Sequence, residues 1–236
     1  MGDFGASWLT AIHLVFHPGQ ELVQIIVLTF EVNVVAAVLG CLVAFPLGGA
    51  VAILRFPGRG FVIALLNAGM SLSGVVIGLV VYLMLSRSGP LGDWGLLFTP
   101  SAMVIAQWVM IVPIVAALTC QTVADLHQQY DEQLRSFGVG RLRMLATLLW
   151  DGRFSLVTAA LAGFGRALAE VGTVVIVGGN IAHYTRVMTG AIVLDTSEGD
   201  LPHAVALGLI LLGLTLVITL LTELVRGTAG RRYARA

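Results

Sequence analysis

Lysine is absent from this 236-residue chain, so all 13 of its Lys/Arg positions are arginine. A phosphate-binding loop ending Gly-Lys-Ser/Thr therefore cannot be present, and the chain is not itself an ATPase of that kind. Charge of either sign is scarce: 11% of residues are charged, against about 25% in soluble domains. Hydrophobic residues make up 58% of the chain and the mean hydropathy is +0.95. A soluble domain of this length could not hide so much apolar surface, so lipid must be the solvent for much of it. The formal net charge is zero, which leaves nucleic-acid binding without support. Cysteine occurs only at Cys41 and Cys120, both inside apolar stretches. They read as small packing residues rather than a disulfide framework. The opening MGDFGASW lacks a basic region and is not expected to be a cleavable signal peptide.

What is present is length of apolar run. Continuous apolarity predicts five spans, at about 24–53, 61–85, 100–122, 155–178 and 203–225. These runs are too long for barrel strands and do not alternate, so an all-α, polytopic integral membrane protein is expected, as one transmembrane domain over 1–236. Arg55-Phe56-Pro57-Gly58-Arg59 marks a tight basic turn. Two polar segments, about 86–99 and 179–202, read as loops on one side, the first with Trp94 and Phe98 suited to the headgroup layer. A third, about 125–153 (DLHQQYDEQLRSFGVGRLRMLATLLWDGR), is the longest charged and amide-rich stretch.

Arginine sets the expected orientation. Arg55, Arg59, Arg135, Arg141, Arg143, Arg153, Arg226, Arg231, Arg232 and Arg235 fall on one side of the membrane, and only Arg87 and Arg186 on the other, with Arg166 inside a span. The positive-inside rule then places 125–153 and the C-terminus in the cytoplasm and the N-terminus outside; a multi-pass protein of the plasma (inner) membrane is expected.

Smaller signals have plain readings. His13 and His17 share a helix face and could hold a metal, but no third ligand is near, and an interfacial turn closed by Pro18-Gly19 suffices. Ala36 with Gly40, and Gly74 with Gly78, have the spacing that lets helix backbones approach. Arg166 and Glu170 stand at i, i+4 in a predicted span, where a helix would put both on one face as an ion pair. An intramembrane serine protease is disfavoured, because Ser71 occupies the place of the glycine expected two residues before a nucleophilic Ser73. A channel or passive scaffold would explain the spans but not the polar segment.

That segment resembles the cytoplasmic coupling loop of ABC-importer permeases. Glu132-Gln133-Leu134-Arg-Ser-Phe-Gly138 is similar to their signature of Glu, two small residues, three variable residues and Gly, with Gln133-Leu134 in place of Ala-Ala and Trp150-Asp151 where Leu-Pro is frequent. Gly163–Ile181 (GFGRALAEVGTVVIVGGNI), the Tyr184-Thr185-Arg186 triplet, AIVLDTSEGD and GVVIGLVVYLMLSRSGPLG resemble the molybdate/tungstate branch, closest to tungstate permeases.

The resemblance implies a MetI-like type I importer fold and a permease subunit that is not an enzyme. It implies a tungstate importer, with molybdate or sulfate as alternatives. It implies no bound cofactor, ATP being held by two separate ATP-binding cassette subunits, together with a second permease copy and an external substrate-binding protein. Glu132, Gln133, Leu134, Gly138 and Arg141 would couple to the ATPase. Ser71, Ser73, Arg166, Glu170, Thr173 and Asn180 are the pathway or gate candidates.

Overall fold

The computed structural model describes residues 10–233. The chain ends that enter the orientation argument, 1–9 and 234–236, lie outside the described residues. Among those described, the structure is helical throughout, with no strand. A short helix α1 covers 10–16. It is followed by α2 (Gln20–Ile53), α3 (Arg59–Met70), α4 (Gly74–Leu85), α5 (Pro100–Ser136), α6 (Arg141–Asp151), α7 (Arg153–Leu168), α8 (Gly172–Gly178), α9 (Met188–Glu198) and α10 (Leu201–Tyr233), with a 3-10 turn at Gly92–Trp94.

Among the described residues, three helices are long and apolar enough to cross a bilayer alone: α2, α5 and α10. Two pairs, α3 with α4 and α6 with α7, pass that test only when each is taken as one bent span, which gives up to five. The apolar face of α10 is left bare (Leu212, Leu216, Val217, Leu220, Leu221 and Leu224 are exposed), as is that of α4. Such contiguous apolar surface is stable only against lipid or protein.

The chain divides into two compact units, one of 1–35, 73–107 and 167–218, the other of 36–72, 108–166 and 219–236. In the second unit, Val51, Ala52, Cys120, Val123, Leu126, Met144 and Leu148 form the core. Glycine admits close approach here: a Cβ on Gly69 would lie 2.6 Å from the Pro113 Cβ, and one on Gly40 2.9 Å from the Ile111 Cγ2. Gly58 (φ 89) makes the basic turn. Arg59 folds back so that its Nε and Nη2 donate to the Val51 and Ala52 carbonyls at 2.8 and 3.1 Å. A cation thus satisfies the open carbonyls at the end of α2, where the helix dipole favours it. In the first unit, Leu22, Ile25, Met188, Ala191 and Leu207 pack together, and so do Val32, Met103, Val174 and Val187.

Four expectations are corrected. The span at 61–85 is interrupted at 71–73, between α3 and α4. The span at 155–178 is interrupted at 169–171, leaving α8 only seven residues long. The loop at 179–202 contains α9, which is a core element because Met188, Thr189, Gly190 and Ala191 are buried. The segment at 125–153, which the resemblance implies is a short helix, a turn at Gly138 and a second helix, differs in its first part: α5 runs on unbroken to Ser136, and α6 begins at Arg141 after the turn. Glu and Gln are good helix formers, so the helix carries on past the end of its apolar run.

Candidate functional site

Two regions carry the candidate functional groups. The first is a seam of buried polar side chains in the first unit. Glu170 is 8% exposed. Its Oε1 accepts from the Gly172 and Thr173 backbone N–H groups at 3.1 and 3.4 Å, an acidic cap on the free donors of α8. Its carboxyl lies against Gly74, where any Cβ would overlap it. The Thr173 hydroxyl donates to the Gly74 carbonyl at 2.7 Å, and the Thr189 hydroxyl to the Glu170 carbonyl at 3.0 Å. A Cβ on Gly78 would lie 3.0 Å from the Thr173 Cα, so α4 and α8 touch backbone to backbone. At the far end of α8, Asn180 (φ 51) donates through Nδ2 to the Gly190 carbonyl at 3.1 Å. Thr185 donates to the Gly178 carbonyl at 2.6 Å.

Three amides extend the seam, those of Gln107 and Asn33 buried and that of Asn180 partly so. Gln107 Nε2 donates to the Ala167 carbonyl at 3.1 Å and Asn33 Nδ2 to the Thr29 carbonyl at 2.7 Å. Their oxygens, and the Oδ1 of Asn180, are buried with no hydrogen-bond partner among the described residues. With each amide nitrogen engaged by a carbonyl, the atom left over is an acceptor in every case.

The second region is the turn between α5 and α6. Val139 N–H donates to the Leu134 carbonyl, and Gly138 adopts φ 63, a backbone conformation open to glycine at little cost. Glu132 and Gln133 are exposed on the last turn of α5, and Leu134 packs with Val139 on the second unit's core. Met144 and Leu148, one helical turn apart, bury one face of α6. Phe137, Leu142 and Trp150 stay 81%, 84% and 72% exposed. Arg153 stacks over Trp150 and Phe154, 5.1 and 4.8 Å from the ring centroids, and closes the turn into α7. Arg141 lines an open cleft of about 410 Å³ with Arg55, His127 and Asp131.

The chain was compared with known proteins. No protein-family model matches it. The "Probable anion ABC transporter permease protein" of Haloferax volcanii is 37% identical to it, over 91% of this chain and 94% of the relative. The "Tungstate uptake system permease protein TupB" of Campylobacter jejuni is 32% identical over 92% and 91%, and the protein of that name from Peptoclostridium acidaminophilum 36% identical over 88% and 91%. The chain belongs to the permease family of ABC transporters. It is a multi-pass membrane subunit of a transporter and not an enzyme.

In this permease the residues singled out from sequence separate into distinct places. Glu170 and Thr173 meet at Gly74, directly after Ser73. Ser71 and Ser73 themselves flank the break between α3 and α4 and are exposed. Arg166 sits half-buried in the last turn of α7. The α7 helix stops at Leu168, so Glu170 follows two residues beyond its end. Asn180 stands away from Glu170, beyond the far end of α8. The Gly74/Gly78 spacing does mark a helix contact. His13 and His17 stack ring on ring, 4.9 Å between centroids, and among the described residues no group of three potential metal ligands occurs. Cys41 and Cys120 are free.

Gln107, Asn33, Thr29 and Thr189 were missed. For Gln107, Asn33 and Thr29 the signal was present: each is a polar residue inside an apolar run, where an unpaired polar group is costly and is retained for a partner.

Proposed function

We propose that this permease is the pore-forming subunit of an ATP-driven oxyanion importer whose substrate is tungstate. The similarity to two tungstate uptake permeases over about nine-tenths of the chain carries this reading. Two copies flank the pathway, and the lipid-exposed faces of α4 and α10 leave apolar surface for both bilayer and partner. The N-terminus lies outside and the C-terminus in the cytoplasm, following the arginine asymmetry.

Two ATPase subunits receive the turn that follows α5. Glu132, Gln133, Leu134, Gly138 and Arg141 form the coupling contact, and the exposed Phe137, Leu142 and Trp150 supply its apolar anchors. Large aromatics in a mostly polar patch are the typical anchors of a protein interface. ATP stays on the partner, since no phosphate-binding lysine exists here. An external substrate-binding protein delivers the ion. Inside the membrane, Glu170 and Thr173 organise the α4–α8 contact beside the pathway, and the breaks at 71–73 and 169–171 are where the helices flex as access alternates.

The test is reconstitution of the permease with its ATPase and substrate-binding partners. Tungstate should stimulate ATP hydrolysis and accumulate in the vesicles more effectively than molybdate or sulfate. Equal or better transport of sulfate would overturn the substrate, and uptake without ATP would overturn the class.

A further inference from the structure

Resting on the oxyanion-importer reading, we infer that a small pocket at the start of α2 is a low-affinity oxyanion site at the outer mouth of the permease. The pocket has a volume of about 100 Å³ and is lined by Glu21, Gln24, His183, Tyr184 and Arg186 with two apolar neighbours. Liquid water occupies about 30 Å³ per molecule, so the space suits one small ion in place of a few waters.

Its walls are held rigidly. Tyr184, Thr185 and Arg186 N–H groups all converge on the Ile181 carbonyl, and the Thr185 hydroxyl is fixed to Gly178. His183 takes φ 58, uncommon for a residue with a side chain, and its Nδ1 lies 3.1 Å from the Gln24 Oε1. That contact turns the Gln24 oxygen toward histidine and leaves the amide nitrogen as a donor.

Arg186 is the decisive residue. Its side chain is 19% exposed, and its Nη1 lies 3.6 Å from the Glu21 carboxylate, a loose ion pair. Its Nε is buried and has no hydrogen-bond partner among the described residues. A guanidinium presents donors in a fork that matches tetrahedral oxyanions, and an unused buried donor is costly unless a ligand takes it. Tyr184 and Gln24 also line the pocket, and a phenol hydroxyl and an amide are neutral donors. The buried seam, by contrast, offers spare acceptors. Glu21 opposes an incoming dianion across the same guanidinium, so the site binds weakly and releases readily, as a waiting position between binding protein and pathway must.

The opposed charges give the test its sign. The native complex, without binding protein, and its Glu21→Gln and Arg186→Gln variants are equilibrated with radiolabelled tungstate in a maltoside detergent, with molybdate and sulfate as competitors. Glu21→Gln should tighten binding by about threefold to tenfold, the scale of one partly exposed charge interaction. Arg186→Gln should abolish it. A gain of binding cannot arise from misfolding. Unchanged binding in both variants overturns the inference, as does a loss in both. A repeat in nanodiscs containing phosphatidylglycerol distinguishes the free ion from a lipid phosphate: retained binding supports the site, and complete exclusion by lipid overturns it. Normal tungstate-driven ATP hydrolysis in the fully assembled native complex, together with no binding at this pocket, refutes the site alone. Absence of that hydrolysis refutes the importer reading on which it rests.

Discussion

The Thr173 hydroxyl donates to the Gly74 carbonyl across 99 residues of sequence. Gly74 can be approached in this way because it carries no side chain, and the space a Cβ would need is held by the Glu170 carboxyl. One backbone position therefore serves both the α4–α8 contact and the burial of an acid. Gly74→Ala should cost about 1–3 kcal/mol, the usual penalty for overpacking. Thr173→Val removes the donor at nearly constant volume and should cost about 1 kcal/mol. Thermal denaturation of the detergent-purified permease reads both. A Gly74→Ala protein as stable as the native one would show that the carboxyl moves freely.

Glu170 caps α8 through one oxygen. Glu170→Gln keeps an acceptor for the Gly172 and Thr173 N–H groups, whereas Glu170→Ala leaves them bare in a buried site. The alanine variant should lose about 2 kcal/mol and the glutamine variant about half as much. The ordering in a melting series is the check: equal losses would mean that charge, rather than the backbone contact, dominates.

Much of the fold was legible from sequence, because α2 and α10 are single uninterrupted apolar runs. The interruptions were not. Leu72, Ala169 and Val171 are apolar, so hydropathy passes smoothly through both breaks, and only the tertiary use of Glu170 as a cap explains the second. The long-range polar links were equally hidden. Thr29 looks like any membrane threonine bonded to its own helix, at Ile25. Its oxygen also accepts from the Met188 N–H, 159 residues away. α9 was taken for a loop because its polar C-terminal half masked Met188 and Ala191, which the core buries. The Gly138 turn was legible because glycine marks it locally.

At Gly138 a side chain is strained by conformation alone, since φ is 63. Gly138→Val should cost about 1–2 kcal/mol locally and should tilt Phe137 and Leu142 away from their present directions. The permease should still insert, while tungstate-stimulated ATP hydrolysis falls severalfold in reconstituted vesicles. Phe137→Ser, which leaves the backbone alone, should lower stimulation without lowering stability. Unchanged hydrolysis in both would remove this turn from the coupling contact.

The proposed orientation rests on ten arginines on one side against two on the other, and labelling decides it. In a background lacking Cys41 and Cys120, Gly5→Cys should react with an impermeant thiol reagent in intact cells, and Ala229→Cys only after the membrane is opened. The reverse pattern would invert the topology and move the Arg186 pocket to the cytoplasmic face.

Selectivity should reside mainly outside this chain. A tetrahedral dianion needs many donors, and the seam already spends a hydroxyl and one N–H of each amide on carbonyls: Thr173 on Gly74, Asn180 on Gly190, Gln107 on Ala167, Asn33 on Thr29. What remains unused there includes the oxygens of Asn33, Gln107 and Asn180, beside a carboxyl. Those groups would repel a bound oxyanion, which suits passage and not capture. The Arg186 pocket offers donors but sets Glu21 against them. Oxyanion binding to the permease–ATPase complex without the binding protein should therefore be weak, and molybdate and sulfate should displace tungstate at comparable concentrations. Equilibrium binding with the three ions measures this directly. Tight binding that favours tungstate, near the affinity of the complete system, would place the selective site within these helices.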